Sequence, residues 1–319
     1  MIEVIMCTYN GIKFVEKQLD SIRYQTKQAD RVSIFDDISD DGTTELIKNY
    51  IENYNLSDKW ILHVNEKNKG WRRNFFDGIL ESQGDIIFFS DQDDIWELDK
   101  IEVMAKVFED NTDVIKLNSY FSLIDENDLP FEYKKWNCFS DNTKTIQKER
   151  FEDNFGINWK HRIGCATAIR GEVRQLLQEI SFNYVFSHDM VLENIFSGIN
   201  KSYFIDYKSI KYRIHENNMN KKIKTDFQYE IDLGKYVYSG LSQFGNEVNK
   251  SYITLVNRYI KFNQLRKKVN SKFAIFSWLM LIGYMDFYCG NKFRNLIGDL
   301  INTMHLRNFY NKIKKQIKK

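Results

Sequence analysis

Residues 86–96, "IIFFSDQDDIW", set four apolar side chains, Ile86 to Phe89, directly against Asp91, Asp93 and Asp94. Carboxylates a few ångströms apart repel, and one of them is forced to hold a proton unless a cation lies between them. A hard divalent ion takes oxygen ligands, commonly one or two carboxylates together with substrate phosphates. Asp91 and Asp93, two positions apart at the end of an extended run, point the same way and can converge on one object. Capping the next helix would need only one Asp of the three. A second acidic loop, "FDDISDDGT" (35–43), offers Asp36 or Asp37 to a base edge, because a carboxylate pairs with an imide or amino N–H. The same residues are also turn formers, and Asp41 is placed to cap the next helix. In "CTYNG", Tyr9 offers either a flat surface for a ring to stack on or an ordinary core side chain.

The elements that carry these clusters alternate. An apolar run, "IEVIMC" (2–7), ends at the turn "TYNG", and Phe14, Val15, Gln18, Leu19 and Ile22 then recur on one helical face. "RVSIF" (31–35), "WILHV" (60–64) and "DIIFF" (85–89) read as further strands, with helices predicted at about 44–54, 71–82 and 98–108. Strict alternation of continuous apolar strands with helices predicts an α/β fold, a mostly parallel sheet covered on both faces. In such sheets ligands bind outside the carboxyl ends of the strands, where all three polar clusters fall. Beyond residue 112 the pattern loosens, with strand-like pieces at 113–117, 164–169, 202–206 and 209–214 and helices at about 171–180 and 187–197. From Lys221 the chain reads as mostly helical, and 293–304 carries an apolar stripe of Phe293, Leu296, Ile297, Leu300, Ile301 and Met304.

With 43% hydrophobic and 28% charged residues, the composition excludes a disordered chain. The net charge of +2 conceals an asymmetry: from Lys250 onward 15 Lys and Arg face two Asp, a net of +13. Such a tail suits an anionic partner, a membrane surface or a nucleic acid, or else a solvated helical face. Cys7, Cys138, Cys165 and Cys289 have no metal-ligand spacing, and with no signal peptide a reducing cytoplasm is the simplest compartment. The longest apolar stretch, 273–289, contains Asp286 and is too short for a spanning helix.

Taken together, these residues resemble the nucleotide-sugar domain of family-2 glycosyltransferases, of GT-A fold, over residues 2 to about 220. "CTYNG" and "LDSIRYQT" open the domain, "DDISDDGT" resembles the family's DDxSxDxT loop, and "NEKNKGWRRNFFDGI" its N-x-G-x-x-x-N stretch. "SDQDDIW" followed by Lys100 is similar to the DXD motif in a form frequent among bacterial rhamnosyl- and surface-polysaccharide transferases. "IGCATAIR", "HDMVLENI" and "YRIHENN" stand where that subgroup has its acceptor loop, catalytic residue and closing loop. The resemblance implies an inverting, Mn²⁺- or Mg²⁺-dependent enzyme using a UDP- or dTDP-sugar, rhamnose or a hexose. It implies an acceptor hydroxyl on a growing, lipid-linked oligosaccharide in capsule, O-antigen or cell-wall polysaccharide assembly. Carried over, Tyr9 stacks on the pyrimidine between Thr8 and Asn10, and Asp37, with Asp36, accepts from its ring N–H. Lys69, Asn74, Asp91 and Gln92 approach nucleotide or sugar, and Arg213 covers the diphosphate. Asp93 ligates the metal with His215 as a further ligand, and Asp189 is the general base, His188 being structural or orienting. The second acidic pair, Asp40–Asp41, leaves the register of that loop ambiguous; Asp36–Asp37 is preferred because it directly follows the strand.

The implied domains are 1–220, catalytic, and 221–319, a basic helical region meeting the inner membrane face or forming an oligomer. Two rival classes remain. "IIFFSDQDDI" superficially resembles the DxDx(T/V) phosphatase pattern, but Ile95 breaks it and Tyr9 and Asp37 would have no role. A non-enzymatic, basic-tailed nucleic-acid binder leaves the acidic edge unexplained, since carboxylates repel phosphate. No nucleic-acid partner is therefore expected.

Overall fold

The computed structural model describes residues 1–132, 140–149, 163–179, 186–216, 227–271, 275–288 and 292–303. They fall into two compact units, one within residues 1–219 and one within 220–319. In the first, β1 (Ile2–Thr8), α1 (Val15–Arg23), β2 (Arg31–Asp36), α2 (Thr43–Asn53), β3 (Trp60–Val64), α3 (Trp71–Glu81) and β4 (Ile86–Asp91) alternate as the apolar pattern predicts. These strands run parallel in the order β3-β2-β1-β4.

The sheet continues through β8 (Thr167–Arg170), β6 (Lys116–Ile124), β9 (Ser202–Arg213) and β5 (Ile95–Trp96), with β7 (Ile146–Lys148) also paired to β9. β6 and β9 point the same way as the first four strands, whereas β5, β7 and β8 run against them. The sheet is thus mixed but mostly parallel. Helices cover both faces. Val4, Met6, Ile34 and Phe88 pack with Val15, Leu19 and Ile47 of α1 and α2 and Ile101 of α4 (Lys100–Asp110). On the opposite face α3 lies so close that a Cβ on Gly78 would meet Ile5 at 2.8 Å. Full burial of each such aliphatic or Phe side chain contributes roughly 1.5–3 kcal/mol.

Four departures from the predicted elements have local causes. α4 begins at Lys100, not near 98, because Ile95 and Trp96 first pair with Lys211 and Ile210. The pieces at 202–206 and 209–214 are one strand, β9, which follows β6 through two register shifts around Tyr120. Residues 164–166 form a 3-10 turn before β8. β7 has three exposed residues and no alternation to announce it. Two further helices, α5 (Val173–Glu179) and α6 (His188–Gly198), fall where the periodicity puts them.

Residues in the second unit form α7 (Phe227–Ser242), α8 (Lys250–Ser271), α9 (Ile275–Leu281), a 3-10 segment (Ile282–Phe287) and α10 (Lys292–Thr303). Gly234 lets α7 approach α8, since a Cβ there would lie 2.6 Å from Ile260. In α10 the predicted stripe is only partly inward. Leu296 is buried and Ile297 exposed, while Asp299 is buried and receives Arg266 at 2.7 Å and the Tyr288 hydroxyl at 2.7 Å. Burial of an acid is tolerable there because it is both ion-paired and hydrogen-bonded. The side chains of Phe293 and Ile301, Met304 and the terminal "KIKKQIKK" lie outside the described residues.

Candidate active site

Parallel pairing gathers the polar clusters at one sheet edge. Thr8 of β1 is opposite Asp36 of β2, and Cys7 is opposite Asp91 of β4, so the two acidic stretches flank the end of β1. Asp36 is fully buried and accepts from Thr8 Oγ1 (2.6 Å), Ser39 N (2.9 Å), Ser39 Oγ (2.7 Å) and Thr44 Oγ1 (2.8 Å). Those four bonds tie down the loop that follows β2. Asp37 accepts from the backbone N–H of Lys69 (2.7 Å) and Gly70 (2.7 Å) and from Asn65 Nδ2 (2.9 Å), pinning the loop before α3. Asn74 is buried and donates to the Phe35 carbonyl at 2.8 Å, while Lys69 Nζ pairs with Asp77 at 3.0 Å.

Asp36 terminates β2, whereas Asp41 accepts from Ile12 N (3.0 Å) and Thr43 N (3.0 Å). Asn10, at φ 50°, donates its N–H to Ser39 Oγ (2.9 Å) and accepts from Asp40 N (2.9 Å). The Gln92 amide brackets the Tyr9 backbone, accepting from its N–H at 2.7 Å and donating to its carbonyl at 2.9 Å. The Tyr9 ring itself is 48% exposed, an accessible platform at the rim.

At the end of β4 the acids are crowded. Asp91 is half-buried, and burial, then the Asp93 charge, pushes its carboxyl up to about 7. Asp94 is fully buried; burial and its two acidic neighbours hold it well above the usual carboxylate range. Asp93 accepts or donates at 2.8 Å with His215 Nε2, according to tautomer. Arg213 is buried and binds inward: Nε donates to the Asp93 carbonyl (2.6 Å), Nη1 to the Asp125 carbonyl (2.8 Å), and Nη1 lies 2.6 Å from Asp128 Oδ1. Its backbone N–H donates to Asp94 Oδ1 at 3.0 Å. This guanidinium fastens the acidic loop.

Asp189 stands in the first turn of α6, half-buried, with Oδ1 accepting from Met190 N at 2.7 Å. Its charge raises the Asp91 pKa, which puts the two acids in one electrostatic neighbourhood. His188 is buried among Phe75 (4.3 Å) and Phe89 (4.8 Å) and, among the described residues, has no hydrogen-bond partner at either ring nitrogen. Burial lowers it to about 4, so it is neutral. Gly164 seats against this ring: a Cβ there would lie 2.8 Å from His188 Nε2 and 3.6 Å from Asp189 Cβ.

Two residues absent from the sequence-based site complete the edge. Cys165 is buried, and one donor atom from each of Asp91, Asp94 and Cys165 lies within 4.8 Å of the others. Lys100 is buried, donates to the Cys165 carbonyl at 2.6 Å and sits 3.8 Å over the Trp96 ring. Burial lowers its ammonium to about 7 against the opposing pull of Cys165, Asp94 and Asp91. The only hint of Cys165 was its place between Gly164 and an apolar strand. A lysine opening a helix reads as solvent-facing, so Lys100 gave no signal beyond its nearness to the motif.

The donor set suits a divalent ion. Among the described residues Asp94 Oδ2 is buried without a hydrogen-bond partner, and the crowded carboxylates supply oxygen ligands with a thiol beside them. This cluster of Asp91, Asp94 and Cys165 includes neither Asp93 nor His215, the pair expected from sequence, which bond to each other instead.

The glycosyl transferase family 2 profile matches residues 3–176. A dTDP-rhamnosyl transferase, RfbG, of Shigella flexneri is 29% identical over 86% of this chain and 99% of its own length. A UDP-Glc:alpha-D-GlcNAc-diphosphoundecaprenol beta-1,3-glucosyltransferase, WfgD, of Escherichia coli is 25% identical over 76% and 89%. Among solved structures, S. aureus TarS 1–349 in complex with UDP-GlcNAc superposes with a TM-score of 0.61 at 13% identity, covering 98% of this chain and 91% of that one. With more than half of its length inside the family profile and the acids of two strand ends gathered at one sheet edge, the chain belongs to glycosyl transferase family 2 and is a glycosyltransferase.

Proposed function

We propose that this chain is an inverting transferase moving a sugar from a nucleoside diphosphate, dTDP-rhamnose or a UDP-hexose, to a hydroxyl of a growing, lipid-linked surface polysaccharide. The observation that carries the reading is Asp189: a half-buried carboxylate at a helix start, close enough to Asp91 to perturb it. In the reaction the acceptor oxygen attacks the anomeric carbon, its proton passes to the Asp189 carboxylate, and the bond to the diphosphate oxygen breaks. One attack from the face opposite the leaving group inverts the configuration. Asp91 holds donor hydroxyls, Tyr9 stacks on the base, and the Asp37-pinned loop with Lys69 borders the nucleotide. Thr8, Asn10, Asp36, Asn74, Gln92 and Arg213 are assigned to positioning, because their polar atoms bind loops and strand ends.

Asp93 with His215, and Asp91 with Asp94, are the residues to hold Mn²⁺ or Mg²⁺; the buried Cys165 thiol, held protonated by burial and the two acids, lines the site without being a ligand for so hard an ion. When bound, such an ion neutralises charge gathering on the leaving diphosphate. The names of two relatives lean the donor toward rhamnose and the acceptor toward a diphosphate-linked lipid. Residues 220–319 serve as a contact region with a membrane surface or a second copy. Among the described residues no helix is long and apolar enough to cross a membrane.

Asp189→Asn tests the reading. Transfer should fall about 10²–10⁴-fold with nucleotide-sugar affinity nearly intact; near-normal turnover refutes the base assignment. EDTA should silence transfer and Mn²⁺ restore it; full activity in EDTA removes the metal from the account. A thermal-shift screen of UDP- and dTDP-sugars with Mn²⁺ identifies the donor.

A further inference from the structure

α9 is turned the wrong way for a helix facing water. Ser277 and Leu281 are buried on its inner side, and Trp278 Nε1 donates to the Leu296 carbonyl of α10 at 2.8 Å. Outward stand Phe276, 80% exposed, Leu279, 47%, and Met280, 52%, positions that share one helical face, followed by Ile282 at 51%. A soluble surface helix puts its polar residues on that side. Here a buried serine, Ser277, and a strongly exposed phenylalanine, Phe276, are neighbours in sequence. A contiguous outward apolar face of this kind marks a contact site.

What covers it follows from charge. The segment from Lys250 to the end carries +13. Exposed Lys267 and Lys268 precede α9 in the chain and exposed Lys292 follows it, while Asp286, just after it, is ion-paired with Arg258 at 3.0 Å and Asp299 of α10 is buried against Arg266. A second copy would bring the same positive charge against itself, whereas an anionic bilayer neutralises it. An apolar face flanked by lysines is the composition of an interfacial helix. We infer that Phe276, Leu279, Met280 and Ile282 insert into the headgroup–acyl boundary of an anionic membrane, with the flanking lysines over its phosphates.

The inference rests on reading residues 220–319 as the contact region and is independent of transfer chemistry. It is tested with the full chain by flotation with phosphatidylcholine vesicles and with vesicles that also contain phosphatidylglycerol. The chain should float with the anionic vesicles alone, and high salt should weaken the association. Phe276→Ser combined with Leu279→Ser and Met280→Ser should lower partitioning about tenfold or more, with circular dichroism and the donor-induced thermal shift unchanged. Where that variant does not fold, Phe276→Glu, at the most exposed position, carries the same comparison. Equal flotation of variant and parent, or no flotation of the parent, overturns the inference. So does a lipid-free dimer in sedimentation equilibrium that the variant dissociates, which would assign the face to a second copy. A chain that floats but transfers no sugar sinks the proposed activity and leaves this inference standing.

Discussion

Arg213→Met separates a guanidinium that holds the fold from one that holds the donor. Methionine keeps much of the side-chain bulk but removes the donations to the Asp93 and Asp125 carbonyls and the ion pair with Asp128. Removing one partner of a buried pair costs roughly 3–5 kcal/mol. Asp128 retains 31% side-chain exposure and is also ion-paired to Lys17, so its share is discounted for solvent. The two stranded carbonyls add about 1–3 kcal/mol each if they find no water. With the partly exposed ion pair discounted to about 1 kcal/mol and each carbonyl at the low end of its range, about 1 kcal/mol, a net of about 3 kcal/mol is expected, and for a unit of this size roughly 2–4 °C per kcal/mol makes the drop in Tm about 10 °C. The assay is thermal unfolding without nucleotide, followed by donor titration well below the transition. Arg213→Lys should recover little stability, because an ammonium cannot reproduce the fork that spans two carbonyls and a carboxylate. If Arg213→Met unfolds within about 2 °C of the parent while donor affinity collapses, the guanidinium acts on the ligand and the positioning argument fails.

Three further outcomes are expected. In the metal-free chain Asp91 holds its proton up to about 7 against an ordinary 3.8, so stability should decline as pH rises from about 4 to about 7. Unfolding curves in EDTA across that window should show the decline in the parent and a shallower one in Asp91→Asn, because the raised Asp94 contributes in the same direction; an unchanged slope would refute the Asp91 assignment. Gly164→Ala forces a methyl against His188 and Asp189; overpacking should cost about 1–3 kcal/mol, and displacement of Asp189 should lower kcat well beyond any change in donor KM. An alanine that leaves kcat untouched would detach Gly164 from the base. His188→Phe replaces a buried imidazole with no hydrogen-bond partner by an apolar ring, so denaturant unfolding should show unchanged stability or a gain of about 1 kcal/mol; a loss above about 2 kcal/mol would show that its nitrogens carry structural bonds.

The first half of the sheet was legible because its strands are unbroken apolar runs and the helices between them keep a 3.6-residue period. Legibility ended where packing contradicts residue type. Glu3 sits inside β1 and is buried, its carboxylate accepting from Ser33 Oγ and the N–H groups of Gln83 and Gly84. Lys116 and Glu193 pair in the interior, and Asn118 donates to Glu193 and Glu149 at 2.9 Å each. Nothing local in the sequence pairs these residues, because their partners are about 30 to 80 positions away. The site shows the same limit. Residue types identified where the acids gather, but Asp36 and Asn74, whose chemistry suits a ligand, hold loops, and Lys100, whose chemistry suits solvent, is buried among the acids. The sequence leaves the stretch containing α9 between a membrane-facing segment and a packed bundle helix, and the exposure of Phe276, Leu279 and Met280 beside a buried Ser277 gives its orientation.

The crowding of Asp91, Asp93 and Asp94 is managed by the protein before any ion arrives. Burial and mutual repulsion leave Asp91 and Asp94 inclined to stay protonated, and the same burial inclines Lys100 to be neutral. A set of groups that can exchange protons in this way is tolerable in the interior, whereas fixed opposite charges would each carry a desolvation cost of several kcal/mol. On the proposed metal role, a divalent cation would have to displace those protons, so its affinity would rise with pH through the neutral range and depend on the carboxylates remaining close together. Arg213 and Gln92 keep them so, one from β9 and one across to β1. These two side chains thereby set how closely the acids are held together.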